Sequence, residues 1–182
     1  MVALDFLTRG KKKVKVLNFN HGTEYGLKMQ TFLRDYCASK NIEFCTSTLK
    51  GEKERRKSQE EFWRDKRYDF LRSNCDGKPI VTCHHLDDCI ETWIFSSLRG
   101  KGKLIPYENR GVIRPFLLTP KKELYSWARN KQVVFFEDPS NSDERYTRNL
   151  IRNQITPHAL KVNPGLHKTI ARLVREHFFA EG

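Results

Sequence analysis

A chain of 182 residues, 38% hydrophobic and 12% aromatic, is long enough for one domain with a real core, which excludes global disorder. It shows no secretory leader and no apolar run of membrane-spanning length, and its five cysteines (Cys37, Cys45, Cys75, Cys83, Cys89) lack C-x-x-C spacing. The expectation is a cytoplasmic protein with reduced thiols, no membrane partner and no metal site. Thirty-four Lys and Arg against 22 Asp and Glu give a net charge of +12, an excess that points to nucleic acid or another polyanion.

In chain order, Met1 to Leu7 reads as the middle of a helix, with no cap before it. Val14 to Phe19 is the first clear strand, and it ends in the polar turn Asn20-His21-Gly22. Leu27, Phe32, Leu33 and Tyr36 mark an amphipathic helix, and a weakly patterned strand follows near Ile42 to Leu49. Lys50 to Lys57 is a basic loop. Ser58 and Glu61 have capping-box spacing and start a helix through Phe62, Trp63, Phe70 and Leu71, on which Arg64, Arg67 and Tyr68 either face phosphate or stay on the surface. After the stretch that carries the chemistry, Arg99-Gly100-Lys101-Gly102-Lys103 forms a basic, glycine-rich loop whose spacing is not that of a P-loop.

Thr119-Pro120 should open a helix through Leu124, Trp127 and Ala128, with Thr119 as its cap and proline at the first helical position. Val133 to Phe136 is a further strand candidate. Glu137-Asp138-Pro139-Ser140-Asn141 is a turn, and a helix from about Asp143 should place Arg145, Arg148 and Arg152 on one cationic stripe, with Tyr146, Leu150 and Ile151 facing the core. Asn163-Pro164 begins a last helix. Strands alternating with helices predict a parallel, layered α/β domain over residues 1–160, with residues 161–182 forming a terminal helix that packs on it or leads to a further domain.

The chemistry concentrates in Pro79 to Thr92. A short apolar strand runs into His84-His85-Leu86-Asp87-Asp88, and a helix with Ile90, Trp93, Ile94 and Leu98 follows. Open α/β sheets build their sites at such strand ends. Asp88 and Glu91 lie three apart, share a helix face and suit an ammonium group or a metal ion. Asp87 alone reads equally well as a helix cap, with Asp88 complementing the dipole. Six hydrogen-bonding side chains between His84 and Thr92 exceed what capping needs, so a site is expected here. A metal-dependent hydrolase using His84, His85, Asp87 and Asp88 is disfavoured, because adjacent histidines seldom both reach one metal.

His84-His85-Leu86-Asp87-Asp88-Cys89-Ile90-Glu91-Thr92 resembles the H-H-x-D-D-x-x-E-T signature of PP-loop ATPases that modify tRNA, thiolation enzymes included. Glu137 to Asn141 followed by Tyr146-Thr147-Arg148-Asn149-Leu150-Ile151-Arg152 is similar to the E-D-P-S-N … Y-x-R-N-x-I-R pattern of the tRNA(Ile)-lysidine synthetase family. Asn20-His21-Gly22, Arg67-Tyr68, Arg99-Gly100 and Arg114-Pro115 match in the family's order.

The resemblance implies a parallel sheet with helices on both faces and a reaction in which ATP, with Mg2+, adenylates the C2 oxygen of a tRNA cytidine before the amine of free L-lysine displaces AMP. It implies that Asp88 and Glu91 bind lysine and that His84, Asp88 and Arg148 are catalytic. Arg64, Arg99 and Arg148 would face ATP phosphates, while Arg145, Arg152, Lys101 and Lys103 would face tRNA. The family's S-G-G-x-D-S phosphate loop is absent from this sequence. The first central strand of the sheet is therefore expected to be missing, through a late start, a separate segment or chain that supplies it, or degeneration. The family's carboxyl-terminal RNA-binding domains are not found either. A non-catalytic or split tRNA-binding remnant, and a homodimer, stay open as alternatives.

Overall fold

The computed structural model describes residues 1–50 and 58–179. Residues 51–57 of the expected basic loop lie outside the described residues. Helices and small sheets alternate in a mixed α/β arrangement, and the chain divides into two compact units. One spans Leu4–Ile80; the other comprises Met1–Ala3 and everything from Val81 onward.

The helix expected at the start is α1 (Val2–Arg9), closed by a bidentate contact of Arg9 Nε with the Asp5 carboxylate, i to i+4. Strand β1 (Lys15–Asn20) pairs in parallel with β2 (Glu43–Thr48), in a register that sets Lys15 opposite Glu43 and Asn20 opposite Thr48. Among the described residues β2 is the only strand beside β1. A parallel pair needs a crossover, and α2 (Glu24–Ser39) supplies it, with Thr23 as N-cap accepting the Gly26 N–H at 2.9 Å.

Gly26 is required by close approach: a Cβ there would lie 2.4 Å from Asn20 Oδ1. Asn20 itself is buried, its Oδ1 taking the Gly22 N–H at 2.8 Å and its Nδ2 donating to Gln30. Helix α3 (Gln59–Ser73) starts where the capping spacing predicts, Ser58 Oγ accepting the Glu61 N–H, and it buries Phe62, Tyr68 and Leu71.

The second unit begins as the short strand β3 (Ile80–Val81) ends. The expected longer strand is only two residues here, because Thr82 and the histidines after it already turn toward α4 (Leu86–Ser97). Strands β4 (Glu108–Asn109) and β5 (Val112–Ile113) form an antiparallel hairpin, and the sheet order is β3-β5-β4. Helix α5 (Lys121–Asn130) comes next. Its N-cap position is Pro120, not Thr119, and no side chain in its own turn caps it.

Val133 to Phe136 is irregular rather than a strand, with Val134 and Phe136 more than half exposed and no strand beside them among the described residues. Past a 3-10 turn at Pro139–Ser142, helix α6 (Thr147–Leu150) passes through a π-helical segment (Ile151–Ile155) into α7 (Thr156–Val162). The helix expected from Asp143 thus starts four residues later, and Arg145 stands outside it. Leu150 is exposed, against the expectation that it faces the core, whereas Ile151 is buried.

The last helix, α8 (Leu166–Phe178), packs on α4. Leu86, Cys89, Ile90 and Ile94 of α4 meet Leu166, Ile170, Ala171 and Val174 of α8 together with Leu117 and Ile151. Five of these ten, Cys89, Ile90, Leu117, Ile170 and Val174, are fully buried, so α4 is anchored along its length and its first turn is held rigidly.

Candidate functional site

Helix α4 opens with a capping box built from the signature itself. His85 is the N-cap, the Asp88 N–H points to His85 Nδ1 at 3.4 Å, and Asp88 Oδ2 takes the His85 N–H at 2.9 Å. One oxygen of Asp88 is thereby committed to the backbone, and its other oxygen, Oδ1, has no hydrogen bond among the described residues. His84, directly before the cap, is half-buried with Nδ1 3.0 Å from Thr82 Oγ1.

Asp87 works outside its own helix. Its Oδ2 accepts the Lys121 N–H at 2.7 Å, and its Oδ1 lies 3.2 Å from His167 Nε2. Burial pushes the Asp87 carboxyl up, but the Lys121 N–H and then the His167 bond outweigh it and hold the group below the usual carboxylate range. The start of α5 is satisfied by this remote carboxylate, which is why Thr119 is not needed as a cap.

Glu91, one turn further, is 3% exposed and meets Arg152 in a fork: Nε donates to Oε1 at 2.6 Å and Nη2 to Oε2 at 2.9 Å. The bond to Glu91 holds the Arg152 guanidinium above its ordinary value against the burial that lowers it. Arg152 Nη1 also reaches Asn141 Oδ1 at 3.4 Å, and Nη2 stands 3.9 Å from Asp88 Oδ1. Asn149, buried, donates to the carbonyls of Ser140 and Asp143 at 2.7 and 2.9 Å. The two halves of the second signature are thus tied to each other by Asn149 and to the first signature by Arg152.

The expected cationic stripe is not formed. Arg152 points inward to Glu91, and Arg145, 88% exposed, is paired with Asp143 at 2.7 Å in the segment before the helix. Arg148 is half-buried and has no hydrogen-bond or ion-pair partner among the described residues. Of the three arginines it is the one left available to an anion.

The basic loop after α4 is pinned rather than loose. Buried Ser96 Oγ donates to the Thr92 carbonyl at 2.7 Å and accepts the Lys103 N–H at 2.7 Å, and Gly102 lies against Trp93. Arg99 lies over the Phe95 ring at 4.0 Å, while Lys101 and Lys103 are exposed. Twelve helical residues separate this loop from the capped turn, about 18 Å of rise, so these cations and the carboxylates sit at opposite ends of α4. Arg64 belongs to the first unit, where its guanidinium lies 5.4 Å from the Tyr68 ring centroid.

Beside the capped turn is a cavity of about 220 Å³, lined by His85, Cys83, Phe116, Lys121, Tyr125 and Phe135 among others. It is mostly apolar. Sequence reasoning missed Asp87 as a clamp, His167 as its partner and Arg152 as the partner of Glu91. The last had a signal: an arginine spaced from the E-D-P-S-N turn within one signature.

A polar turn at a strand's end, carboxylates on the first turn of the helix behind it and an arginine with no polar partner among the described residues make this turn a candidate site for a charged ligand. Residues 1–159 match the PP-loop domain family, and the chain belongs to it. Among its relatives it is 31% identical over 178 residues to the tRNA(Ile)-lysidine synthase of Enterococcus faecalis, covering 91% of this chain and 38% of that protein. It is 33% identical over 175 residues to that of a Thermotoga species (90% and 42%), and 35% identical over 162 residues to that of Francisella philomiragia (80% and 39%). The chain therefore spans about two fifths of the length of these relatives. No described helix is long and apolar enough to cross a membrane.

Proposed function

We propose that this chain is the PP-loop portion of a tRNA(Ile)-lysidine synthase-type ligase acting in the cytoplasm, built on a parallel sheet with helices on both faces. The C2 oxygen of a tRNA cytidine attacks the α-phosphorus of ATP, supplied with Mg2+, and pyrophosphate leaves. An amine of free L-lysine, having given up its proton, then attacks C2, and AMP departs with the oxygen. The observation that carries this reading is the acidic first turn of α4, where Asp88 Oδ1 has no hydrogen bond among the described residues beside buried Glu91, and Arg148, with no polar partner among them, lies on the segment that also supplies Arg152.

A primary amine needs a carboxylate to hold and orient its ammonium form, and adenylyl transfer needs fixed cations where charge develops. In this reading Asp88 and Glu91 form the lysine end and His84 lines the reaction centre. Arg148 serves phosphate, and Lys101, Lys103 and Arg145 meet the tRNA backbone.

The test is lysine transfer to a cytidine-containing isoleucine tRNA, measured for the chain alone and with an added segment bearing S-G-G-x-D-S. Transfer in either arm that Asp88→Asn abolishes supports the ligase. Tight tRNA binding with no lysine binding and no transfer in both arms favours the non-catalytic reading. Sulfur incorporation in place of lysine would indicate a thiolation enzyme.

A further inference from the structure

A cationic stripe does exist, on α8 rather than on the segment after Asp143. Lys168, Arg172 and Arg175 stand at i, i+4 and i+7, so the helix places them in one narrow sector, spread over about 10 Å of its axis. All three are exposed, and the opposite face of α8 is buried through Ile170, Ala171 and Val174. The only acid between Leu166 and Phe178 is Glu176. It lies 3.7 Å from Arg172 Nη1 in a solvent-exposed pair, the kind that holds an arginine weakly. Lys168 and Arg175 have no ion pair or hydrogen bond among the described residues.

We infer that this face of α8 is an RNA-backbone surface, whose three cations meet phosphates of the strand that brings its cytidine to the first turn of α4. The inference rests on the tRNA reading above and adds a surface that neither signature contains. Three observations carry it.

The first is place. At the start of α8, His167 Nε2 lies 3.2 Å from Asp87 Oδ1 in the first turn of α4, and Lys168 follows directly. At its end, the Phe179 ring meets Tyr107 edge-on at 4.7 Å, just past the exposed cations Lys101 and Lys103. The stripe thus covers the interval of about 18 Å between the carboxylate turn and the basic loop. A polyanion that engages both has α8 beside it.

The second is cost. Lys168 sits in the first turn of α8, where the helix dipole favours anions and no side chain caps the helix. Asp87, the carboxylate at that end, is spent on His167 and the Lys121 N–H and forms no ion pair with Lys168. A position that only needed solvation would be served better by an acid. This lysine works against its own helix.

The third is shape. Three cations spread along an axis cannot converge on one small anion, so a ligand that uses all of them is extended. Phosphate contacts of this kind position a strand and read no sequence, which suits a surface beside the reacting base rather than around it.

The test is binding of a cytidine-containing isoleucine tRNA to the full chain, titrated at several salt concentrations. The variants are Lys168→Gln, Arg172→Gln and Arg175→Gln, singly and together. The control combines Lys12→Gln, Lys13→Gln and Lys40→Gln, exposed cations of the other unit with the same change in charge. Each stripe substitution should make the slope of log affinity against log salt shallower by about one, and the triple variant should bind about tenfold more weakly or worse. Lys168→Gln should melt no earlier than wild type. In the wild-type chain, bound tRNA should shield the Lys168 amine from an acylating reagent and leave Lys40 reactive.

Stripe variants that keep the wild-type slope, or Lys168 labelled equally with and without tRNA, would overturn the inference alone. So would a control that flattens the slope as much, since net charge would then account for binding. The labelling decides the matter even if the triple variant melts early. A wild-type chain that binds no tRNA overturns the tRNA reading and this inference with it. Absent lysine transfer with the stripe effects intact overturns only the ligase reading.

Discussion

The carboxylate of Asp87 caps a helix other than its own, its Oδ2 accepting the backbone N–H of Lys121 at 2.7 Å. With His167 on Oδ1 at 3.2 Å, one side chain of α4 serves the starts of both α5 and α8. It holds together the elements that position the candidate site. The adjacent Asp88 spends only Oδ2 on its own helix, accepting the His85 N–H, and its Oδ1 has no hydrogen bond among the described residues.

A pH dependence follows. Burial raises the Asp87 carboxyl, the Lys121 N–H and His167 more than reverse this, and the folded value lies below the unfolded one of about 3.9. A depressed carboxylate adds stability that is fully present above the unfolded value and lost as pH falls through the folded value. Asp87→Asn should therefore lower the melting temperature at pH 7 and leave a shallower decline below about pH 4 than wild type shows. Parallel acid limbs for the two proteins would remove Asp87 from this role.

Much of this was legible in the sequence, and the reason is local chemistry. The Ser58–Glu61 spacing fixed the start of α3, and the first signature marked the turn in which His85 and Asp88 form a capping box. The failures are long-range. Thr119-Pro120 reads as a cap and a first helical residue, yet a carboxylate 34 positions away does the capping. Arg152 reads as part of a surface stripe, because helical spacing says nothing of a buried glutamate 61 residues back. Val133 to Phe136 has strand-like composition, but β propensity expresses a fit to a half-buried pleated surface, and no neighbouring strand among the described residues offers one.

His21 carries a second pH effect, in the first unit. Its ring stacks on Trp63 at 5.0 Å, and burial, followed by the nearby Arg67, pushes its value down. Such a histidine favours the folded state while neutral, and stability erodes as pH falls below the unfolded value of about 6.5. His21→Phe, which keeps a ring against Trp63, should narrow the difference in urea midpoint between pH 7.5 and pH 5.5. An undiminished difference would assign the effect to another group.

Ser96 tests whether the basic loop is pinned. Its hydroxyl is buried, donates to Thr92 and accepts from Lys103, so Ser96→Ala leaves the Lys103 N–H without its partner. The expected cost is about 1–3 kcal/mol of stability, with faster amide exchange at Lys101 and Lys103. Unchanged exchange there would mean that the loop is held by other contacts.

Arg148 separates binding from stability most cleanly. It is half-buried but has no internal hydrogen bond or ion pair among the described residues, while four residues later Arg152 is locked to Glu91. Removing a side chain with no polar partner should change folding stability by no more than about 0.5 kcal/mol. If Arg148 meets phosphate, Arg148→Ala should weaken tRNA binding and reduce the slope of log affinity against log salt by about one. Arg152→Met should do the opposite, melting early because it strands a buried carboxylate, with the salt slope of the folded fraction unchanged. Both quantities come from one set of experiments: thermal melts, and tRNA binding titrated at several salt concentrations. An Arg148→Ala chain that melts early, or that binds tRNA with the wild-type slope, would show that this arginine does not serve phosphate.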